Sequence, residues 1–497
     1  MGGYTGKILR INLTEGKTGI EPLNMELARK YLGGRGLAEK MFFDEVAADV
    51  EAFAPENKIY IAAGVLTGTN TPTSGRFAVV TKSPLKGAVS AANPGGDWGV
   101  QLKLAGYDMV ILEGKAAYPV YISIKDDQVE IRDASQLWGK DVYAATEALK
   151  LEFGDPLARV LAIGPAGEKL APMAVFLNDL HRAAGRGGVG AVMGAKNLKA
   201  LIVCGSGKVD EANPEKMKNV LNAVWGRFPK NGTVANFPVS SDSDAELISE
   251  GPLTAKHLSK EDTCYRCPIA CSRQKKREDG EDGEDLRSKR ETKSIFASAC
   301  GLHDYDAIHA AHDLCDKLGL DFIAVGSTLA TGMELVQRGS IRPEELGGTL
   351  LEFGNAQGIR KWIRKIAHAE GLGAKMAQGA SNFAASYGHP ELAATVKRLE
   401  MPASADRGSQ GRSIQLANGN QGGGPERGIL QDLTAVIDSI GMCLYTSAAL
   451  GLADYTAIVN AVTGFNYTDA ELLACGERIG DMERLQNSGT GMTTADD

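Results

Sequence analysis

Gly185-Arg186-Gly187-Gly188-Val189-Gly190-Ala191-Val192-Met193-Gly194-Ala195-Lys196-Asn197-Leu198-Lys199 is the stretch on which the fold class turns. Its first six residues match G-x-G-x-x-G, and Asp210 follows about twenty residues on. Taken alone, that is the fingerprint of a parallel dinucleotide-binding sheet, in which glycines let a strand turn tightly into a helix beneath a pyrophosphate. The context argues otherwise. No clear strand pattern leads into Gly185, and no complete βαβ unit can be traced around it. The glycines are read instead as a tight loop against another bulky group.

Upstream of this loop the chain reads as strands separated by glycine-rich turns. Residues 4–13 alternate and turn at Glu15-Gly16, and further runs lie at Lys58–Ala63, Phe77–Lys82, Met109–Glu113, Val120–Ile124 and Leu198–Cys204. After Asn213 the pattern becomes helical. Residues 305–318 space their apolar positions by three and four and close at Gly319, and residues 428–442 do the same around Gly441. The charged segment Arg273–Lys293 is expected to be a solvated loop or hairpin. An α+β protein follows, β-rich first and mainly helical afterwards.

At 497 residues, two or three domains are expected. A net charge of −8 argues against a general nucleic-acid binder, which needs clustered Lys and Arg, and leaves local basic patches for an acidic partner open. The N-terminus lacks the plan of a signal peptide, and no apolar run approaches a membrane span, so a cytoplasmic protein is expected. The unusual count is 60 glycines, without a collagen period.

Three of the eight cysteines cluster as Cys264-Tyr265-Arg266-Cys267-Pro268-Ile269-Ala270-Cys271, which is C-x2-C-x3-C. In a reducing compartment such thiols read as ligands. Three thiolates this close wrap one face of a metal centre, and a fourth comes from afar, as in a [4Fe–4S] cluster. A four-cysteine zinc site stays open, although two separated C-x2-C pairs would suit it better. Cys443 is the candidate fourth ligand. Cys300, Cys315 and Cys475 sit in apolar helical patterns and are expected to pack in the core.

Other loops pair glycine with polar anchors: Pro72-Thr73-Ser74-Gly75-Arg76, Asn93-Pro94-Gly95-Gly96-Asp97-Trp98-Gly99 and His181-Arg182-Ala183-Ala184-Gly185-Arg186. Backbone N–H groups and bidentate Arg in such loops surround phosphate, so together they favour a large phosphorylated cofactor. A short internal echo points the same way. Asp316-Lys317-Leu318-Gly319-Leu320-Asp321 and Asp438-Ser439-Ile440-Gly441-Met442-Cys443 share D-x-x-G-[apolar]-[D/C], each where a helix pattern ends. Two like turns could hold the halves of a nearly symmetric ligand.

With these residues in place, the chain resembles the aldehyde ferredoxin oxidoreductase family, the tungsten bis-pterin oxidoreductases. The resemblance rests on Tyr4-Thr5-Gly6-Lys7, Tyr31-Leu32-Gly33-Gly34-Arg35-Gly36, Gly95–Gly99, Lys103-Leu104-Ala105-Gly106-Tyr107-Asp108, Ile163-Gly164-Pro165-Ala166-Gly167-Glu168, Gly185–Lys199 and Asp438–Cys443. It covers most of the chain. It implies a β-rich base domain (residues 1–204) followed by two mainly helical domains (205–398 and 399–497), enclosing a bis-pterin metal cofactor.

By that resemblance, Cys264, Cys267, Cys271 and Cys443 hold one [4Fe–4S] cluster. Asp316, Gly319 and Asp321, and Asp438, Gly441 and Met442, form the two pterin turns. Arg76 bridges cluster and pterin, Gly95 and Arg182 lie at the pterin phosphates, and Asn93 and Ala183 supply oxygens to a bridging Mg²⁺. Tungsten, or molybdenum, is then held by the pterins' own dithiolenes. The implied reaction is aldehyde plus water to carboxylate, or the reverse, with electrons passed to ferredoxin or an iron–sulfur subunit, and an oligomer is expected. Glu291, between the cysteine cluster and Asp316, matches the family's active-site glutamate. The chain departs from the family in a short stretch between Asp406 and Asp438 and in having no histidine after His389, where the family presents one near the metal. The readings that stay open are a non-aldehyde substrate, such as an activated carbonyl or aromatic acid derivative, and a non-redox protein stapled by zinc.

Overall fold

The computed structural model describes residues 2–228, 258–261, 263–269, 273–275, 294–401 and 428–490. Its first two hundred residues form two six-stranded sheets. The first contains β1 (Lys7–Asn12), β2 (Lys17–Pro22), β3 (Ile59–Ala63), β4 (Phe77–Lys82), β5 (Val89–Ala92) and β6 (Met109–Glu113), in the order β2-β1-β6-β3-β4-β5. The second contains β7 (Val120–Lys125), β8 (Gln128–Asp133), β9 (Arg159–Ile163), β10 (Phe176–Asn178), β11 (Arg182–Ala184) and β12 (Leu198–Cys204), in the order β8-β7-β12-β9-β10-β11. Adding six to each label converts one order into the other. The pairings agree as well: β1 with β6, and β7 with β12, are parallel, and the remaining neighbours are antiparallel. The base is a duplicated unit.

Alternation along the strands explains how the two sheets stack. Leu9, Ile11, Ile59, Ile61, Val79, Val110 and Leu112 of the first sheet share a core with Ile122, Ile124, Leu161, Ile163, Phe176 and Leu201 of the second. Their neighbours point the other way and are covered by helices. Tyr60, Ala62, Val80 and Ile111 pack with Leu37 and Phe42 of α2 (Gly34–Glu45), which follows α1 (Met25–Tyr31). Two helices, α3 (Trp98–Leu104) and α6 (Val189–Ala195), send Trp98, Leu102, Val192 and Met193 into the core between the sheets. On the far side, Val160, Ala162, Ala200 and Ile202 pack with Val142 and Leu149 of α4 (Val142–Phe153).

The duplication accounts for the glycine-rich stretch. A strand does lead into it, contrary to the sequence reading: β11, three residues long and antiparallel to β10. Because β10, β9 and β12 also alternate in direction, β11 and β12 run opposite ways. Strand β11, helix α6 and strand β12 therefore cannot be a parallel crossover unit. The loop from β11 to α6 is instead the counterpart of the loop from β5 to α3. Gly187 (φ 113°) and Gly96 (φ 111°) occupy the same place two residues before each helix.

Helices dominate the rest of the described chain. After the short α5 (Pro165–Glu168) and α7 (Pro214–Trp225) come α8 (Tyr305–Leu318), α9 (Phe322–Gln337), α10 (Ala356–Ala367), α11 (Leu372–Met376) and α12 (Ala380–Ser386). Phe322, Trp362, Ile363, Met376 and Phe383 centre one helical core, which includes the buried Cys300 and Cys315. A second core joins α13 (Ile429–Ile440), α14 (Leu452–Thr463) and α15 (Asp469–Gly489), and contains Cys475. Helix α7 contributes Met217 and Val224 to this second group. Both helix ends expected at glycine occur there, with Gly319 (φ 73°) and Gly441 (φ 85°) in left-handed C-cap positions. No described helix is long and apolar enough to cross a membrane.

Candidate functional site

Each half of the base ends its third strand in a glycine, Gly64 after β3 and Gly164 after β9, and a helix-end glycine meets each one. A Cβ on Gly64 would strike the backbone of Ile440 and Gly441, and a Cβ on Gly164 would strike that of Leu318 and Gly319. The hydrogen bonds repeat too. Arg76, just before β4, donates its backbone N–H to Gly441 O (3.3 Å); Val175, just before β10, donates to Gly319 O (2.9 Å). The two D-x-x-G turns are thus seated on equivalent places of the duplicated base, one per half. This gives the sequence echo a structural meaning.

At the turn ending α13, side chains link the expected cluster ligand to the expected pterin residue. The guanidinium of Arg76 donates through Nη2 to Cys443 Sγ at 3.1 Å and through Nη1 to the backbone oxygen of Asn93. Asn93 Nδ2 donates to Asp438 Oδ1 at 2.5 Å. Cys443 is itself fixed by its backbone N–H, which donates to Thr73 Oγ1 (3.1 Å). Burial pushes the Asp438 carboxyl above its usual range, against the opposing pull of Arg35 and the Asn93 amide.

The first two cysteines of C-x2-C-x3-C dock on the same loop. Cys264 and Cys267 close a turn with a 3.0 Å backbone bond, Arg266 O accepts from Thr73 N–H (2.9 Å), and Tyr265 Oη donates to Gly68 O (3.3 Å). Cys264 Sγ lies 2.6 Å from where a Cβ on Gly95 would stand, and that position is 3.7 Å from Arg76 Nε. Cys264, Gly95, Arg76 and Cys443 therefore surround one region. Cys271 and Glu291 lie outside the described residues, as do residues 402–427, which hold most of the short stretch before Asp438. Among the described residues, no group of three or more acidic, imidazole or thiol side chains stands ready to hold a metal ion.

At the turn ending α8, the chemistry differs. Asp316 is buried, with Oδ2 3.7 Å from His312 Nε2. Asp321 stands where Cys443 stands in the other turn, caps α9 by accepting from Ile323 N–H (3.0 Å), and faces Arg186 Nε at 3.7 Å. Met442 turns its side chain into the C-terminal core. His309 and His312 are buried on α8, as packing residues are expected to be.

The Asn93–Asp97 loop lies beside the turn ending α13, through the Asn93–Asp438 contact. Asn178 reaches it from β10 and donates Nδ2 to Gly95 O (2.6 Å). The other amide oxygens, Asn93 Oδ1 and Asn178 Oδ1, are buried and have no hydrogen-bond partner among the described residues. Arg182 and Ala183 flank them on β11, and a Cβ on Gly96 would come within 3.1 Å of Arg182 Cδ. Unsatisfied buried oxygens are costly unless a cation or donor completes them. With three guanidiniums near glycine loops, this donor set fits a phosphorylated cofactor with a hard cation. Asn178 was not singled out from sequence; its only signal was its place before the Asp179-Leu180 turn, where both residues have positive φ.

Comparison with known proteins identifies the family. The sequence model for the N-terminal domain of aldehyde ferredoxin oxidoreductase matches residues 8–205, and that for its domains 2 and 3 matches residues 231–497. The chain is 42% identical to the tungsten-containing aldehyde ferredoxin oxidoreductase of Pyrococcus furiosus over 550 positions, covering 100% of this chain and 91% of that one. It is 40% identical to the enzyme of the same name from Thermococcus kodakarensis, with the same coverage. A WOR-like subunit of an aliphatic sulfonate oxidoreductase from Pyrococcus furiosus is 30% identical, over 98% of this chain and 86% of its own. In fold alone, the chain is similar to a chain of the BamBC active-site complex of benzoyl coenzyme A reductase, solved with 1,5-dienoyl-CoA. That likeness has a TM-score of 0.86 at 24% identity and covers 100% of this chain and 90% of the other. The chain belongs to the aldehyde ferredoxin oxidoreductase family of oxidoreductases.

Proposed function

We propose that this chain is a tungsten-dependent oxidoreductase that converts an aldehyde and water to a carboxylate, or catalyses the reverse. The oxidation to the carboxylate releases two electrons and three protons, and the electrons leave through a [4Fe–4S] cluster to ferredoxin or an iron–sulfur subunit. The observation that carries this reading is the continuous contact from Cys443 through Arg76 and Asn93 to Asp438. It joins a thiol suited to iron with a carboxylate suited to a pterin.

Cys264, Cys267, Cys271 and Cys443 hold the cluster in this proposal. Asp438 and Asp316 accept hydrogen bonds from the amino and ring N–H groups of the two pterins. Gly319, Asp321, Gly441 and Met442 shape those turns, while Gly95 leaves room beside Cys264. Arg182 neutralises pterin phosphate, and Asn93 and Ala183 supply oxygens to Mg²⁺. Tungsten, or molybdenum, supplies Lewis acidity at the carbonyl and accepts the electron pair when bound. Glu291 handles the proton of the attacking water. The enzyme is read as cytoplasmic and oligomeric.

A second reading keeps the cofactors and changes the substrate to another activated carbonyl or an aromatic acid derivative. The WOR-like subunit of the aliphatic sulfonate oxidoreductase supports it, because this relative with a different named substrate aligns over nearly the whole chain. The chain also carries no histidine after His389.

Elemental analysis of anaerobically purified protein is the first test. About four irons and one tungsten per chain are expected. Zinc without iron or tungsten, in cells supplied with both metals, would refute the proposal. An aldehyde panel with a viologen acceptor then separates the two substrate readings.

A further inference from the structure

Tyr31-Leu32-Gly33-Gly34-Arg35-Gly36 is a motif to which the roles above assign no chemistry. Its glycines serve a close approach. A Cβ on Gly34 would stand 2.6 Å from Asp438 O, and one on Gly36 would stand 2.5 Å from Ile479 Cδ1. Gly36 N–H donates to Ser439 Oγ at 2.9 Å. The start of α2 is thereby pressed onto the end of α13, and Arg35 is carried to the pterin turn.

There Arg35 meets three carboxylates. Nη1 donates to Asp438 Oδ2 at 3.3 Å, and Nε donates to Glu39 Oε1 (3.1 Å) and Glu483 Oε1 (2.8 Å). Nη2 also donates to Glu483. Arg35 is only 13% exposed, Glu39 1% and Glu483 7%. With Asn93 on Oδ1 and Arg35 on Oδ2, both oxygens of Asp438 are held from the base. Three charges of one sign around one guanidinium are unfavourable in a buried site. Burial and the neighbouring Glu483 push Glu39 well above the usual carboxylate range. Burial also pushes Glu483 upward, but Arg35 and the neighbouring Glu39 together hold that carboxyl low. Glu483 is the carboxyl that anchors Arg35, accepting from both Nε and Nη2.

We propose that Arg35, braced by Glu483 and Glu39, is the positioning residue that sets which way Asp438 presents its carboxylate, and so how firmly this half of the site retains a pterin. The proposal rests on the functional reading above. A planar fork is required for the role, because one group must reach Asp438 and Glu483 together. The ammonium of a lysine keeps the charge and loses the fork.

The test compares Arg35→Lys and Glu483→Gln with the wild type, each purified anaerobically from tungstate-supplied cells. Pterin is measured by fluorescence after oxidative release, with tungsten, iron and melting temperature from the same preparations. Arg35→Lys is expected to lose at least fivefold in pterin and tungsten while iron stays at the wild-type level. Glu483→Gln is expected to lose two- to threefold, also with iron retained. Equal pterin in wild type and Arg35→Lys overturns the proposal, and so does a loss in which iron falls in parallel with pterin. If Arg35→Lys fails to fold, Glu483→Gln decides, and full pterin in that variant overturns the idea. Wild-type protein that carries iron but no pterin overturns the functional reading itself, and this inference with it.

Discussion

At the scale of single residues, the cysteines divide by surroundings rather than by number. Cys443 has a guanidinium on its sulfur at 3.1 Å. Cys475 is buried in an apolar core, and burial pushes its thiol upward, away from the thiolate that binds metal. Cys443→Ala should therefore lose the iron–sulfur absorbance, and Cys475→Ala should keep it. If both variants hold full iron, Cys443 is not the fourth ligand. Asp179 gives a pH-dependent case. Burial pushes it up to about 6, against Arg159 and Lys150, in a left-handed turn with φ 48°. Its folded state binds the proton more tightly than the unfolded one. The resulting stability is full below about pH 4 and is lost as pH rises through the folded value. Asp179→Asn suits the same turn. It should raise the free energy of unfolding by about 1–3 kcal/mol at pH 8 relative to wild type, with the gain vanishing near pH 4. Chemical denaturation at both pH values checks this, and a destabilised variant at pH 8 contradicts it.

At the scale of elements, the site depends on helix ends lying flush against strand ends. Two glycines separate the causes. Gly139 has φ 87° with open space around its Cβ position, so Gly139→Ala tests backbone strain alone, about 1–2 kcal/mol. Gly64 has no positive φ, but its Cβ would enter the Gly441 backbone. Gly64→Ala should cost about 3 kcal/mol or more, since backbone cannot rotate aside as a side chain does. It should also lower cofactor content, whereas Gly139→Ala should leave it unchanged. Equal denaturation midpoints for the two variants would show that flush seating is not what the turn requires. Much at this scale was legible in sequence. Phe77–Lys82, Met109–Glu113 and Leu198–Cys204 coincide with strands, and the ends at Gly319 and Gly441 were marked by periodic apolar residues meeting a C-cap glycine. Strand β11 was not legible, because three residues are too few to show alternation.

At the scale of the whole molecule, sequence showed two similar turns but not the two similar sheets beneath them. Strand order is set by pairings between distant residues, and a pattern of alternating apolar positions carries no record of which partner each strand takes. The candidate site follows the same division. Asp438, Arg76 and Cys443 were named as site residues from short motifs and the family resemblance, and the fold brings the three into one chain of contacts. Arg35, Glu39 and Glu483 were not, because 448 positions separate Arg35 from Glu483 and only folding brings them together. The duplicated base has one more consequence. Equivalent positions carry sulfur in one half, at Cys443, and oxygen in the other, at Asp321. A structure built from two like halves is thus given a direction by a single side chain. The two turns are therefore not interchangeable: one offers a soft thiol to whatever the site binds, and the other a hard carboxylate.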